Sequence, residues 1–289
     1  MKSVLQKSPI PSNHAFIVKY LKDLVFDPTW HFHPEYQLFL VLEGSGTRFI
    51  GDNVKLFKKG DITFTGPNLP HLWRSDFESS ITNKNTWAEG IVVYFNEGFV
   101  GDNLLQKEEM IKLRQFFKKS LRGVDITGET AKKIKKMILN LLKLDGFDGV
   151  LKLFKILNYL SKSSEIKLLA SPGYTNSLKE GDTERMNKVY AYVMRNFRNK
   201  ITISKITALI NMTPTSFSRY FKIHANKTFS EFISEIRIGY ACKLLIEKKT
   251  SISQTCYESG FQTLSNFNRQ FKAITKRTPM EYKKEYLVK

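Results

Sequence analysis

The feature that most constrains this chain is one phrase written twice, 50 residues apart. Phe217-Ser218-Arg219-Tyr220-Phe221-Lys222 returns as Phe267-Asn268-Arg269-Gln270-Phe271-Lys272. The correspondence continues: Thr228 matches Thr278, Glu231 matches Glu281, and Phe232 matches Tyr282. Repetition at such a period means one supersecondary unit used twice. In each copy the two Phe are four apart, which is one face of a helix. At about 100° per residue, Thr215, Arg219 and Lys222 fall on the opposite side. The pattern predicts a helix with aromatic rings behind and hydroxyl, guanidinium and ammonium groups in front.

The flanks say where these helices begin and what surrounds them. Thr213-Pro214 supplies a hydroxyl cap and a Pro at the first helical position. A short apolar helix is expected before it, over about residues 202–210, and Asn211-Met212-Thr213 lies between the two. Asn tolerates the left-handed backbone that a tight turn needs. The second copy reads as a helix over 251–259, then Gly260-Phe261, then a helix over about 263–275. Helix, short turn, helix is the helix-turn-helix geometry. Each presenting helix is followed by a capping box, Thr228-Phe229-Ser230-Glu231 and Thr278-Pro279-Met280-Glu281. The first box opens a helix of about 228–247, long enough to join the two units.

These residues resemble the DNA-binding domain of the AraC/XylS family of bacterial transcription regulators, over about residues 184–286. The resemblance rests on Phe-x-Arg-x-Phe-Lys twice, on Arg237 and Ala241 in the linking helix, on Glu258-Ser259-Gly260-Phe261 and on Thr278-Pro279-x-x-Tyr282. It implies that each presenting helix enters a major groove, the two lying about one turn apart on one side of the duplex. Its base-facing positions fall on Thr215, Ser218 and Arg219, and on Ser265, Asn268 and Arg269. Lys222 and Lys272 suit phosphate contacts. The chain departs from the family where Gly is usual, at Asn211, Asn226 and Lys276. Lys276 carries strain of order 1 kcal/mol if its backbone is left-handed. Phe217, Phe221, Phe267 and Phe271 read as core.

Charge follows the same division. Of a net charge of +19, the residues from Thr183 onward carry 20 Lys and Arg against 7 Asp and Glu (+13), and the preceding 182 residues carry 26 against 20 (+6). That asymmetry favours a polyanionic partner for the C-terminal part. The two cysteines, Cys242 and Cys256, read as buried thiols rather than a disulfide framework. No stretch of 18 apolar residues occurs, and residues 1–13 lack the apolar run of a signal peptide. A cytoplasmic protein with no membrane partner is the expectation.

Residues 16–95 have a different texture: short runs of alternating or apolar residues at 37–42, 47–50, 54–57, 62–65 and 90–95, separated by Gly-rich turns. Such spacing indicates a sandwich or barrel. Within it, Trp30-His31-Phe32-His33-Pro34-Glu35-Tyr36-Gln37 and Gly66-Pro67-Asn68-Leu69-Pro70-His71 resemble the cupin barrel that forms the sensory half of many AraC-type regulators. By that resemblance His31, His33 and His71 stand at metal-ligand positions, and Gln37 replaces the usual anionic Glu. No metal or other cofactor is expected; His31, His33 and His71 are the candidates if one binds. The interior instead suits a small polar effector, with Trp30, His31, His33, Tyr36, Gln37 and His71 as its contacts. Trp73 and Phe95 are further stacking faces, and Trp73 and Trp87 equally suit packing. Beyond residue 103 the texture turns helical, with apolar stripes at Met110, Leu113, Phe117 and Leu121, at Ala131, Ile134, Ile138, Leu141 and Leu142, and at Val150, Phe154, Leu157 and Leu160. They are dimer candidates by family resemblance, and intramolecular packing is the alternative.

The fold expected is α+β: a cupin-like barrel over 1–105, a helical dimerisation or connector segment over 106–162, a flexible linker over 163–182, and an all-α domain with two helix-turn-helix motifs over 183–289. The function expected is a non-enzymatic, dimeric regulator that binds operator DNA, responds to a small molecule and has RNA polymerase as a further partner. The rivals are a metal-dependent cupin enzyme fused to a DNA-binding domain, and a dimeric regulator without a ligand.

Overall fold

The computed structural model describes residues 10–75, 88–174, 180–247 and 250–287. The chain divides into two compact units, residues 1–176 and 177–289. Trp87 lies outside the described residues.

The first unit is built on two antiparallel sheets. β1 (Phe16–Asp23), β2 (Tyr36–Glu43), β5 (Ile62–Thr65), β7 (Ala88–Phe95), β8 (Val124–Ile126) and β9 (Ile166–Leu168) form one sheet in the order β1-β7-β2-β5-β8-β9. β3 (Gly46–Ile50), β4 (Asn53–Phe57) and β6 (His71–Ser75) form the other in the order β4-β3-β6. Among the described residues of this unit three helices have ten or more residues: α1 (Ile111–Ser120), α2 (Gly128–Leu141) and α3 (Gly146–Lys162). The central strands of the larger sheet, β2 and β7, are buried on both faces. Tyr36, Leu38 and Leu40 of β2, with Ile91, Val93 and Phe95 of β7, pack into one core with Phe116, Ile134, Ile138, Ile156 and Leu160 of the helices. The alternate residues Phe39, Val41 and Val92 join a second core with Ile50, Phe57 and Trp73 of the smaller sheet. Side chains alternate along a strand, so one strand feeds two cores.

Two boundaries differ from those read in the sequence. The helical stripes do not form a separate segment. Leu113, Phe117, Ile134, Ile138, Leu141, Leu157 and Leu160 are all in the core against the sheet. The first half of the supposed flexible linker is also ordered. β9 pairs with β8, placing Ile166 opposite Ile126 and Leu168 opposite Val124. Glu165 caps α2, its carboxylate accepting from the Glu129 and Thr130 amides at 3.2 and 2.7 Å. The Arg122 guanidinium donates twice to the Ala170 carbonyl, at 2.9 and 2.7 Å. A three-residue edge strand with a lysine at its centre is too short to show a period; backbone pairing and caps make it.

The second unit is all helical: α4 (Glu180–Asn196), α5 (Ile203–Leu209), α6 (Pro214–Ala225), α7 (Phe229–Glu247), α8 (Ile252–Glu258), α9 (Leu264–Thr275) and α10 (Pro279–Leu287). Both capping boxes close reciprocally. The Thr228 amide donates to Glu231 at 2.7 Å and the Glu231 amide to Thr228 Oγ1 at 3.2 Å. The Thr278 and Glu281 pair does the same at 2.8 and 3.3 Å. Accepting from backbone amides holds both carboxylates below the usual Glu range. Cys242 and Cys256 are buried free thiols. Among the described residues no helix is long and apolar enough to cross a membrane.

Candidate nucleic-acid interface and barrel pocket

Each presenting helix is fixed from behind. Phe217, Phe221, Phe267 and Phe271 are fully buried. Phe221 meets Phe229 and Phe232 at ring distances of 5.2 and 5.3 Å, and Phe271 meets Tyr282 at 5.5 Å. Thr213 caps α6 by accepting from the Ser216 amide at 3.2 Å, and Thr263 caps α9 by accepting from the Asn266 amide at 3.4 Å. The turn before α6 passes through Asn211 at φ +54°, and the turn before α9 through Gly260 at φ +90°. A matching backbone bond closes each turn, from Met212 to the Thr207 carbonyl and from Phe261 to the Cys256 carbonyl. Arg237 of the linking helix donates to the carbonyls of Phe197 and Asn199, at 2.7 and 2.9 Å. It thereby ties α7 to the end of α4.

On the front faces, Thr215, Ser218, Arg219 and Lys222 of α6 and Ser265, Asn268, Arg269 and Lys272 of α9 are all exposed. The side chains of Arg219, Lys222 and Lys272 have no hydrogen bond or ion pair among the described residues. Ser218 Oγ donates back to the Pro214 carbonyl at 2.9 Å, so its proton is engaged. Arg269 Nη2 donates to Asn266 Oδ1 at 3.0 Å. Asn266 was not among the expected residues; its place one helical turn before Arg269 is the signal that finds it. Both helices end in a left-handed residue, Asn226 at φ +52° and Lys276 at φ +64°.

The barrel brings three histidines together. His31 and His71 exchange backbone bonds of 3.2 and 2.9 Å, which sets them side by side. His31 Nδ1 lies 2.7 Å from the Thr29 carbonyl and His71 Nδ1 lies 2.7 Å from that of Leu69. Those contacts assign the proton to Nδ1 and leave Nε2 as an acceptor. Burial pushes the pKa of His31 down and that of His71 well down, so both are neutral at pH 7. His33 Nδ1 lies 3.3 Å from the buried Glu35 carboxylate. The Gln37 amide sits 3.2 Å from both His33 Nε2 and His71 Nε2. Its two N–H donors match those two lone pairs if the amide nitrogen takes that side. One ring nitrogen from each of His31, His33 and His71 lies within 4.8 Å of the other two. The three imidazoles, two of them anchored at Nδ1, fit a borderline divalent cation, with the Gln37 oxygen as a neutral fourth donor.

A cavity of about 190 Å³ opens beside this cluster, lined by Leu21, Phe26, Asp27, His31, Gln37, Phe39, Trp73, Val92 and Tyr94. Of the expected effector contacts, His31 and Gln37 line it and His33 and His71 stand directly behind Gln37. Trp30 and Tyr36 do not. Trp30 is fully buried away from the lining. Tyr36 points to the opposite face of β2, stacked on Phe117 at 4.5 Å and Phe95 at 5.1 Å in the helix-side core. Phe95 shares that core, while Trp73 does face the cavity. Tyr94, at 5.2 Å from the His33 ring, was missed. It sits in an unbroken apolar run in which alternation has no polar marker.

Two family models match the chain: a helix-turn-helix domain over residues 206–285 and a cupin domain over residues 25–82. An uncharacterized HTH-type transcriptional regulator from the cgkA 5' region of Pseudoalteromonas carrageenovora is 33% identical over 95 residues, 33% of this chain and 56% of that one. The Msm operon regulatory protein of Streptococcus mutans is 21% identical over 90% of this chain and 87% of its own. The crystal structure of ToxT from Vibrio cholerae covers 94% of this chain and 98% of its own at 15% identity, with a TM-score of 0.37. Two further regulators, both from Bacillus subtilis, are matched over 35% and 39% of their length, so the likeness to the first relatives spans about a third to a half of them. The chain thus carries a helix-turn-helix domain of AraC type and, at its N-terminal side, a cupin domain.

Proposed function

We propose that this protein is a sequence-specific DNA-binding transcription regulator, that α6 and α9 each read a major groove, and that the barrel cavity takes a small-molecule effector. The observation that carries the reading is the pair of exposed helix faces. Each presents an Arg and a Lys, and Arg219, Lys222 and Lys272 meet no protein acceptor among the described residues. Free guanidinium and ammonium groups on a rigid helix suit base edges and phosphates respectively. Replacing Arg219 should cost about 1–3 kcal/mol and relax specificity at one base pair. Lys222→Ala should weaken all sequences alike and lower the salt slope by about 1. Fluorescence anisotropy against promoter fragments at several salt concentrations separates the two. Identical behaviour of both variants on all DNA would remove the assignment of roles.

The protein acts without catalysis in this reading, as a cytoplasmic homodimer with RNA polymerase as a further partner. Exposed Ile111, Phe147 and Leu151 on the outer side of α1 and α3 support the dimer contact. An effector switches the regulator only by binding one of its arrangements more tightly than another. A second reading draws on the three histidines: a metal held by His31, His33 and His71, supplying Lewis acidity to a cavity-bound molecule. Metal analysis of the purified protein tests it. One equivalent of Fe, Mn or Zn that is lost in a His71→Ala variant supports it, and metal-free protein from metal-replete cells argues against it.

A further inference from the structure

Four of the nine residues that line the barrel cavity are aromatic, Phe26, Phe39, Trp73 and Tyr94, so its wall is mostly ring. Phe39, Trp73 and Tyr94 stand on β2, β6 and β7, and Phe26 follows the end of β1. Phe26 meets Phe39 at a ring distance of 5.3 Å and an interplanar angle of 81°, and Phe39 meets Trp73 at 4.7 Å and 70°. Rings crossed in this way stand as adjoining walls of a box. Tyr94 is the cross-strand partner of Gln37, which sets the fourth ring beside that amide.

An aromatic box alone would suit any apolar guest; charge narrows the choice. No lysine or arginine is among the described residues that line the cavity, and Asp27 is the one that carries a charge at pH 7. Asp27 is exposed, and its Oδ1 accepts from the Thr29 amide at 2.9 Å, which fixes the carboxylate next to the Phe26 ring. A second carboxylate, the fully buried Glu35, lies behind His33. The Tyr94 phenol registers both: its pKa is raised by burial first, then by the fields of Glu35 and Asp27. Arg48, buried on β3 across from Trp73, does not line the cavity and is matched by Asp125 at 2.8 Å. Aromatic faces are themselves negative. An anion would therefore meet Asp27 and the ring faces with the wrong sign. A strongly hydrated inorganic cation would give up water that rings do not replace. A cation with an apolar, weakly hydrated surface suits both walls and field.

We infer that the cavity binds a small organic cation, a quaternary ammonium or a protonated amine, seated against Phe26, Phe39, Trp73 and Tyr94 with Asp27 as its counter-charge. This names the chemistry of the effector pocket proposed above and rests on that reading. A divalent metal on the three histidines would put positive charge against the same wall, so the inference belongs to the metal-free protein. Titration calorimetry of the chelator-treated full chain tests it. The probes are choline, tetramethylammonium and butylammonium, the uncharged isostere of choline with a tert-butyl group in place of trimethylammonium, and benzoate. Saturable binding of at least one cation is expected, with the uncharged isostere about tenfold weaker or more. Asp27→Asn keeps the acceptor for the Thr29 amide and removes only the charge. It should weaken the cation about threefold or more and leave the isostere unchanged. Tyr94→Leu should weaken the cation about fivefold or more. Asp27→Asn alone decides the matter if the leucine variant melts far below the parent. Equal binding of choline and its isostere, preference for benzoate, or an unaltered cation affinity in Asp27→Asn overturns the cation assignment and leaves an effector pocket in place. No binding of any probe overturns the assignment too, and DNA anisotropy on the same preparation then shows whether the DNA-reading proposal stands without it.

Discussion

The two helix-turn-helix copies share a core and differ at the joints. Both bury a Phe pair, start on a threonine cap and end in a left-handed residue. The first turn has four residues between its helices, 210–213, and the second has five, 259–263. The first bends at an asparagine and the second at a glycine. A Cβ on Gly260 would lie 2.6 Å from the Phe197 carbonyl oxygen and 2.9 Å from the Arg198 Cα. The second turn is therefore wedged against the end of α4, where Arg237 also docks, and only a residue without a side chain fits. The repeat conserves the aromatic face, while turn length and turn residue answer to local neighbours. At the presenting faces the difference is one of order: Arg269 is tethered by Asn266, and Arg219 is untethered.

The largest effect should come from breaking the tighter joint. Gly260→Ala combines a left-handed backbone with overlap against main chain and should destabilise the second unit by about 3 kcal/mol. Asn211→Ala, with only the backbone cost, should lose about 1 kcal/mol. Denaturant unfolding of the two variants checks the ranking; equal losses would mean that the joints are equivalent. Next come the fingertips. Arg269→Ala should cost about 1–3 kcal/mol of discrimination at one base pair. Asn266→Ala should cost less and act through Arg269, so that the double variant resembles Arg269→Ala alone. Additive losses in a double-mutant cycle would show that Asn266 touches DNA itself.

Smaller effects sit at the caps. Lys276→Gly should stabilise by about 1 kcal/mol, because Lys276 sits at φ +64°, and Asn226→Gly should gain less. Acid should weaken the second unit through both capping boxes. The folded-state pKa values of Glu231 and Glu281 lie below the ordinary 4.5, so their contribution is present above that value and fades as pH falls through the depressed one. Urea midpoints between about pH 6 and 3 should fall less steeply in a Thr228→Ala, Thr278→Ala variant. An unchanged slope would assign the acid loss to other groups.

The helical unit was legible because its signals are local: a repeat, a four-residue aromatic spacing, capping boxes and left-handed turn positions. Asn211, Asn226 and Lys276, where glycine is usual, are all left-handed in the structure. The barrel was legible as strands but not as faces. Tyr36 and Gln37 are adjacent in β2, and both faces of that strand are buried, so polarity does not say which side is the cavity. Gln37 faces it and Tyr36 does not. β9 was hidden in a segment of mixed polarity, and nothing near Arg48 in the sequence marks it as buried, because its partner Asp125 lies 77 positions away. Ion pairs over such separations exist only once the sheets close.

The central claim is that α6 and α9 read successive grooves of one duplex. Selection of bound sequences from random DNA by the full chain tests it most directly, run in parallel with Arg219→Ala and Arg269→Ala. The account predicts an enriched site of two short elements about one helical turn apart, roughly 10 base pairs, with each variant relaxing a different element. No enrichment over the starting pool, or the same element lost in both variants, would contradict it.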